Sequence, residues 1–148
     1  MKRSDELEEY LSLHGIKWSE VPLSRHRELE NQWMRVYGDV WKMGMRNSRE
    51  ARAEAEYRKR SAAVFLIVPF LGDWAGPHGL GKIERSIAYE CRGAGPLPPL
   101  LEFNGLDFFV SPPDLSWTIV HTHEDYSLGG PYFVDREWLT PPIRQRSF

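Results

Sequence analysis

The stretch Trp117-Thr118-Ile119-Val120-His121-Thr122-His123-Glu124-Asp125, continued by Gly129-Gly130-Pro131-Tyr132-Phe133, decides the fold. Its first residues are aromatic or β-branched, as a strand buried in a core requires. Glycine and proline then force a turn, and Tyr132-Phe133 bring the chain back as apolar sequence. The stretch predicts a core strand that ends in a corner, with two histidines and two carboxylates delivered at the corner.

Working outward, Leu100 to Phe103 and Leu106 to Val110 are further apolar runs, set off by Gly93-Ala94-Gly95-Pro96-Leu97-Pro98-Pro99 and Ser111-Pro112-Pro113-Asp114. Ala62-Ala63-Val64-Phe65-Leu66-Ile67-Val68 is apolar on both faces and stops at Pro69, which predicts a central strand. Ile83, Arg85, Ile87, Tyr89 and Cys91 alternate with Glu84, Ser86, Ala88, Glu90 and Arg92. One face is mixed and the other polar, which predicts an outer strand.

The first sixty residues follow a different period. Ser4 is a candidate cap for a helix with Leu7, Tyr10, Leu11 and His14 on one stripe and Gly15 as its stop. Ile16-Lys17-Trp18-Ser19-Glu20-Val21, ended by Pro22, fits an edge strand and an extended connector equally well. Ser24 can open a second helix, with Leu29, Trp33, Val36 and Tyr37 at core spacing until Gly38 interrupts. Asn47-Ser48-Arg49-Glu50 resembles a capping box for a charged, solvated helix in which Glu54–Arg58 and Glu56–Arg60 stand at i, i+4. His14 and His26 suggest only surface or boundary placement.

Helices first and closely connected strands afterwards predict an α+β fold, with N-terminal helices packed on one face of a C-terminal, mainly antiparallel β-sheet. One domain spanning residues 1–148 is expected: mainly helical over 1–60, strands and turns over 62–134, and a frayed tail at 140–148.

The 148 residues are 41% hydrophobic and 13% aromatic, enough for one sizeable core, and the net charge is −2. With a pI near 6.2 the chain carries no overall basic footprint for nucleic acid or an anionic membrane. A single cysteine, Cys91, excludes an intramolecular disulfide and suits core filling better than nucleophilic chemistry. Residues 62–71 are too short to span a bilayer, and no signal-peptide core opens the chain, so a soluble cytoplasmic protein is expected.

The chemistry-bearing groups are few. His121 and His123, two apart on a strand, share a face in the manner of a bidentate metal site, with Asp125 or Asp135 as a third ligand for zinc. Glu124 and Asp125 are the candidate catalytic carboxylates, and a scaffold role at the Gly129-Gly130-Pro131 turn is the competing reading for His123 and Glu124. Gly76-Pro77-His78-Gly79-Leu80-Gly81-Lys82 matches the spacing of a phosphate loop. Yet Ile83 stands where a magnesium-binding hydroxyl belongs, and strand-like sequence follows. Trp74 and His78 in that glycine-rich loop are better read as partner contacts, together with His123, Glu124 and Tyr132.

Two resemblances extend these readings. His121-Thr122-His123, followed by Asp135, resembles the JAB-domain isopeptidases, whose pattern is His-Ser/Thr-His-Pro, then a serine and an aspartate; here Glu124 stands at the proline's place. That resemblance implies a zinc hydrolase with His121, His123 and Asp135 as ligands and Glu84, Glu90 or Glu102 as general base. Across more of the chain, Ile16, Glu20-Val21-Pro22, Trp33, Trp117-Thr118, Val120, Thr122-His123-Glu124 and Gly130-Pro131-Tyr132-Phe133 resemble a family of small bacterial proteins classed as a domain of unknown function. It implies no activity, and its pattern uses His123 and Glu124 but not His121.

The expectation is a non-catalytic, protein-binding domain of the immunity or regulatory type, monomeric or homodimeric, with no cofactor, nucleic acid or membrane. The alternative is a metal-dependent hydrolase.

Overall fold

Helix α1 (Lys2–Leu13) ends as its sequence dictates. Gly15 adopts φ +74°, and its N–H reaches Ser12 O at 3.0 Å while Ile16 N–H reaches Leu11 O at 2.9 Å. This is a Schellman closure, and it brings Ile16 into the core that holds Leu7 and Leu11. The helix starts at Lys2, so Ser4 lies inside it rather than capping it. The structure, a computed structural model, describes residues 2–43, 45–46, 52–71, 87–93, 107–122 and 131–139.

After α1 the chain forms strand β1 (Lys17–Val21), which settles the choice between strand and connector. Pro22, extended at φ −59° and ψ 152°, ends β1 and accepts the first bond of helix α2 (Leu23–Tyr37), from His26 N at 2.8 Å. Pro22 is therefore the cap, and Ser24 falls in the first turn. There follow a short 3₁₀ turn (Trp41–Met43), β2 (Met45–Arg46) and helix α3 (Arg52–Arg58), where Glu54–Arg58 and Glu56–Arg60 pair at 3.8 and 3.2 Å. Helix α3 is not wholly solvated, because Ala53 and Tyr57 are buried. The capping sequence 47–50 lies outside the described residues.

Strands β3 (Val64–Pro69), β4 (Ala88–Arg92), β5 (Phe108–Ser111), β6 (Trp117–His121) and β7 (Tyr132–Asp135) complete a seven-stranded sheet of order β1-β4-β3-β5-β6-β7-β2. Among the described residues every pairing is antiparallel. The α+β prediction holds, as does the interior position of β3. Strand β4 is a correction: it lies between β1 and β3, with Tyr89 and Cys91 buried, rather than at the edge. Its polar residues mislead because Glu90 and Arg92 pair with each other at 2.7 Å on the partly exposed margin.

The second correction concerns the faces of the sheet. Phe65, Ile67, Phe108, Val110, Trp117, Ile119 and Phe133 meet α1 and α3, whereas Leu66, Val68, Phe109, Val120 and Val134 meet α2. Alternation along a strand sends successive side chains to opposite faces, so the continuous apolar runs of β3, β5 and β6 require cover on both. Trp33 holds the α2 layer in place. Its ring stacks on Phe109 at 5.0 Å, and its Nε1–H donates to Thr118 Oγ1 at 2.9 Å. Thr118 donates its own hydroxyl hydrogen to Val110 O at 3.1 Å, so the Trp33 N–H and the Thr118 hydroxyl between α2, β5 and β6 are both satisfied.

Candidate functional site

Strand β6 organises the candidate chemistry by having two different ends. His121 is its last residue and is 1% exposed. The imidazole lies flat on Phe108, its cross-strand partner, with ring centroids 4.6 Å apart and planes 11° from parallel. It shares the α1/α3 face with Trp117 and Ile119. His123, Glu124 and Asp125 lie outside the described residues, as do Trp74, His78, Glu84 and Glu102. Tyr132 opens β7 opposite Val120, buried with its ring edge-on to Trp41 at 5.3 Å, so it is not presented on the surface.

Asp135 occupies the other end. The β6–β7 register sets it opposite Trp117, four residues from His121, a separation of roughly 13 Å at about 3.3 Å per residue. Zinc ligands must converge to about 2.0–2.3 Å of one point, so His121 and Asp135 cannot serve the same ion. Glu90 is no closer to His121, since β3 and β5 intervene between β4 and β6. Among the described residues no group of three His, Cys, Asp or Glu side chains is placed to hold a metal ion.

What Asp135 does instead is fasten α3 to the sheet. Its Oδ2 accepts Arg60 Nη2 at 2.8 Å and its Oδ1 accepts Glu137 N at 2.9 Å. The same guanidinium reaches Glu56 Oε1 at 3.2 Å and lies over the Phe133 ring at 4.8 Å. A hydrogen bond from Lys59 and the Arg60 charge hold the Glu56 carboxyl below its ordinary pKa. Beside this pair Asp114, Ser116, Trp117, Asp135, Arg136 and Glu137 line an open cleft of about 570 Å³.

The rim of that cleft contains the one strained backbone position among the described residues. Leu115, buried, adopts φ +59°, a conformation that costs a branched-chain residue about 1–2 kcal/mol. It is held by its N–H to Pro112 O at 3.0 Å, by Asp114 Oδ1 accepting Ser116 N at 3.0 Å, and by Tyr37, whose hydroxyl donates to Leu115 O at 2.7 Å. Burial raises the Tyr37 pKa far above its ordinary value, so this donor stays protonated.

Sequence reasoning passed over a third set of groups. His26 is not at the surface but 1% exposed, with its Nε2 2.7 Å from Pro69 O. One turn along α2, buried Glu30 accepts Leu71 N at Oε1 over 2.9 Å. The signal was present: His26, Leu29, Glu30, Trp33 and Tyr37 form one helical stripe, so two ionisable residues had to share a buried face. His14 is exposed, and its Nδ1 stands 3.0 Å from Tyr10 O. Cys91 is core, its thiol pushed up to about 12 by burial, so it is not a ready nucleophile.

Compared with protein-family models, with curated proteins and with solved structures, the chain gives no match. No helix among the described residues is long and apolar enough to cross a membrane.

Proposed function

We propose that the chain is a protein-binding domain of the immunity or regulatory type that carries out no chemistry of its own. The observation that supports this most is the state of His121, the residue that separates a metal site from a scaffold. It lies 1% exposed and flat on Phe108, as a member of the aromatic core. Asp135, its expected co-ligand, is instead clasped by Arg60 at 2.8 Å.

Partner contact is assigned to the cleft at the Trp117 end together with Trp138, which is 49% exposed on the 3₁₀ turn Arg136–Leu139. Tryptophan and arginine are over-represented among the residues that carry interface energy. Trp74, His78, His123 and Glu124 are further proposed contacts.

The test is affinity capture from the native host with the full chain as bait, repeated with Trp138→Ala. A partner retained at micromolar concentration by the wild type and weakened at least about tenfold by the variant supports the reading. Capture of nothing, or equal capture by both, counts against it. Elemental analysis of untagged protein separates the hydrolase reading. Less than about a tenth of a metal ion per chain is expected, and stoichiometric zinc would favour His121, His123 and Asp125 as a site.

A further inference from the structure

The buried pair on α2 does more than fill space. Where β3 ends at Pro69, Phe70 N–H still finds a backbone partner, Asp107 O at 2.9 Å. The flanking groups are taken up by side chains instead: His26 serves the Pro69 carbonyl at 2.7 Å, and Glu30 serves the Leu71 N–H at 2.9 Å. Side chains from two successive turns of one helix thus hold the backbone of residues 69–71 against α2.

A carbonyl accepts only, so His26 Nε2 must carry the proton of that bond, and a neutral ring leaves Nδ1 as the basic nitrogen. Adding a proton there keeps the bond to Pro69 and creates a cation inside the protein. Two charged groups act on it from α2 itself: Glu30, one turn along, favours the cation, and Arg27 opposes it. From β3 comes the Pro69 carbonyl, which also favours it. Glu30 is the one anion in this set, and it is already the acceptor for Leu71.

We infer that His26 and Glu30 form an acid-released clamp, in which the protonated imidazole draws the Glu30 carboxylate away from the Leu71 N–H and frees Leu71 from α2 while the bond to Pro69 holds. The clamp is closed while His26 is neutral, which burial favours by holding its pKa below the ordinary 6.5. Release is local. It changes one backbone bond at the end of β3 and leaves the ladder pairs of β5 and β6 in place. The inference is independent of the partner-binding proposal and survives if that fails.

Hydrogen exchange of the Leu71 amide, followed in the intact protein beside the His26 ring resonances, tests it. In the wild type the Leu71 protection factor is expected to fall at least about tenfold as pH is lowered from about 7 through the His26 titration. The fall should track the His26 titration, while amides of Ile119 and Val120 keep their protection. His26→Gln retains a side-chain N–H for Pro69 but cannot be charged, and it should hold Leu71 protected throughout. Glu30→Gln retains an acceptor for Leu71 without the anion. It should shift release to lower pH and keeps the test decisive if the first variant does not fold. Leu71 protection that stays constant while His26 titrates, that falls equally in either variant, or a His26 that fails to titrate above about pH 4, overturns the clamp.

Discussion

At the His121 end of β6, His121, His26 and Glu30 lie inside the protein, whereas at the Trp117 end Asp114, Asp135, Arg136 and Glu137 line a cleft in contact with water. The register places Pro69, Phe108 and His121 side by side, so His26 and His121 belong to the same end of the sheet on opposite faces. Burial allows each of these groups little choice of partner. An imidazole stacks on a ring or donates to a carbonyl, and a carboxylate takes a backbone N–H, because an unmatched polar group there costs about 1–3 kcal/mol. At the Trp117 end Asp114, Asp135, Arg136 and Glu137 keep access to solvent, with Asp114 and Asp135 accepting turn N–H groups and Asp135 also accepting Arg60. Among the described residues the buried end contributes packing, and the Trp117 end carries the open cleft.

The comparison can be broken by substitution. His121→Ala, which leaves a cavity against Phe108, should cost about 3 kcal/mol in chemical denaturation. A loss under about 1 kcal/mol would place His121 outside the core and remove the contrast. Glu30→Ala leaves the Leu71 N–H unserved in a buried setting and should cost about 2 kcal/mol, with the loss of Leu71 amide protection as its local signature.

Acid should act on the same end. The His26 pKa is lowered in the folded protein, so folding favours the neutral ring. Its contribution is complete above the unfolded value of about 6.5 and is lost as pH falls from there through the folded pKa, because the unfolded chain takes up the proton first. Stability should therefore fall by up to about 1.4 kcal/mol per pH unit below about pH 6.5, and His26→Gln should remove that component.

At the open end the effects should be smaller. Arg60→Ala loses a partly exposed ion pair and its packing on Phe133, and about 1 kcal/mol is expected, part of it reduced by salt. Trp138→Ala should change stability by no more than about 0.5 kcal/mol while weakening partner capture. A reversed order, with Arg60→Ala more damaging than His121→Ala, would mean that the open end bears the structure.

Parts of this architecture could be read from single segments. The run from Val64 to Val68 and the run from Trp117 to Val120 announce buried strands because β-branched and aromatic side chains stand on successive positions. Gly15 announces the end of α1 because few other residues tolerate its φ of +74°. Other parts could not be read in this way. Strand β4 looked peripheral from its alternation, but its place depends on β1, more than sixty residues upstream. Leu115 gave no sign of its φ of +59°, since Tyr37 and the Asp114 turn impose it from outside.

The candidate site divides along the same line. Sequence alone determined that Trp117 would lead a core strand with histidine at its far end and that the apolar runs would build an antiparallel sheet with helices, because local periodicity fixes which side chains face a core. Only the tertiary structure decided that Asp135 lies at the far end of β6 from His121 and that helices cover both faces. Register and layer order are set by contacts between distant segments, and no local pattern of side chains encodes which end of a strand its neighbour's carboxylate will reach.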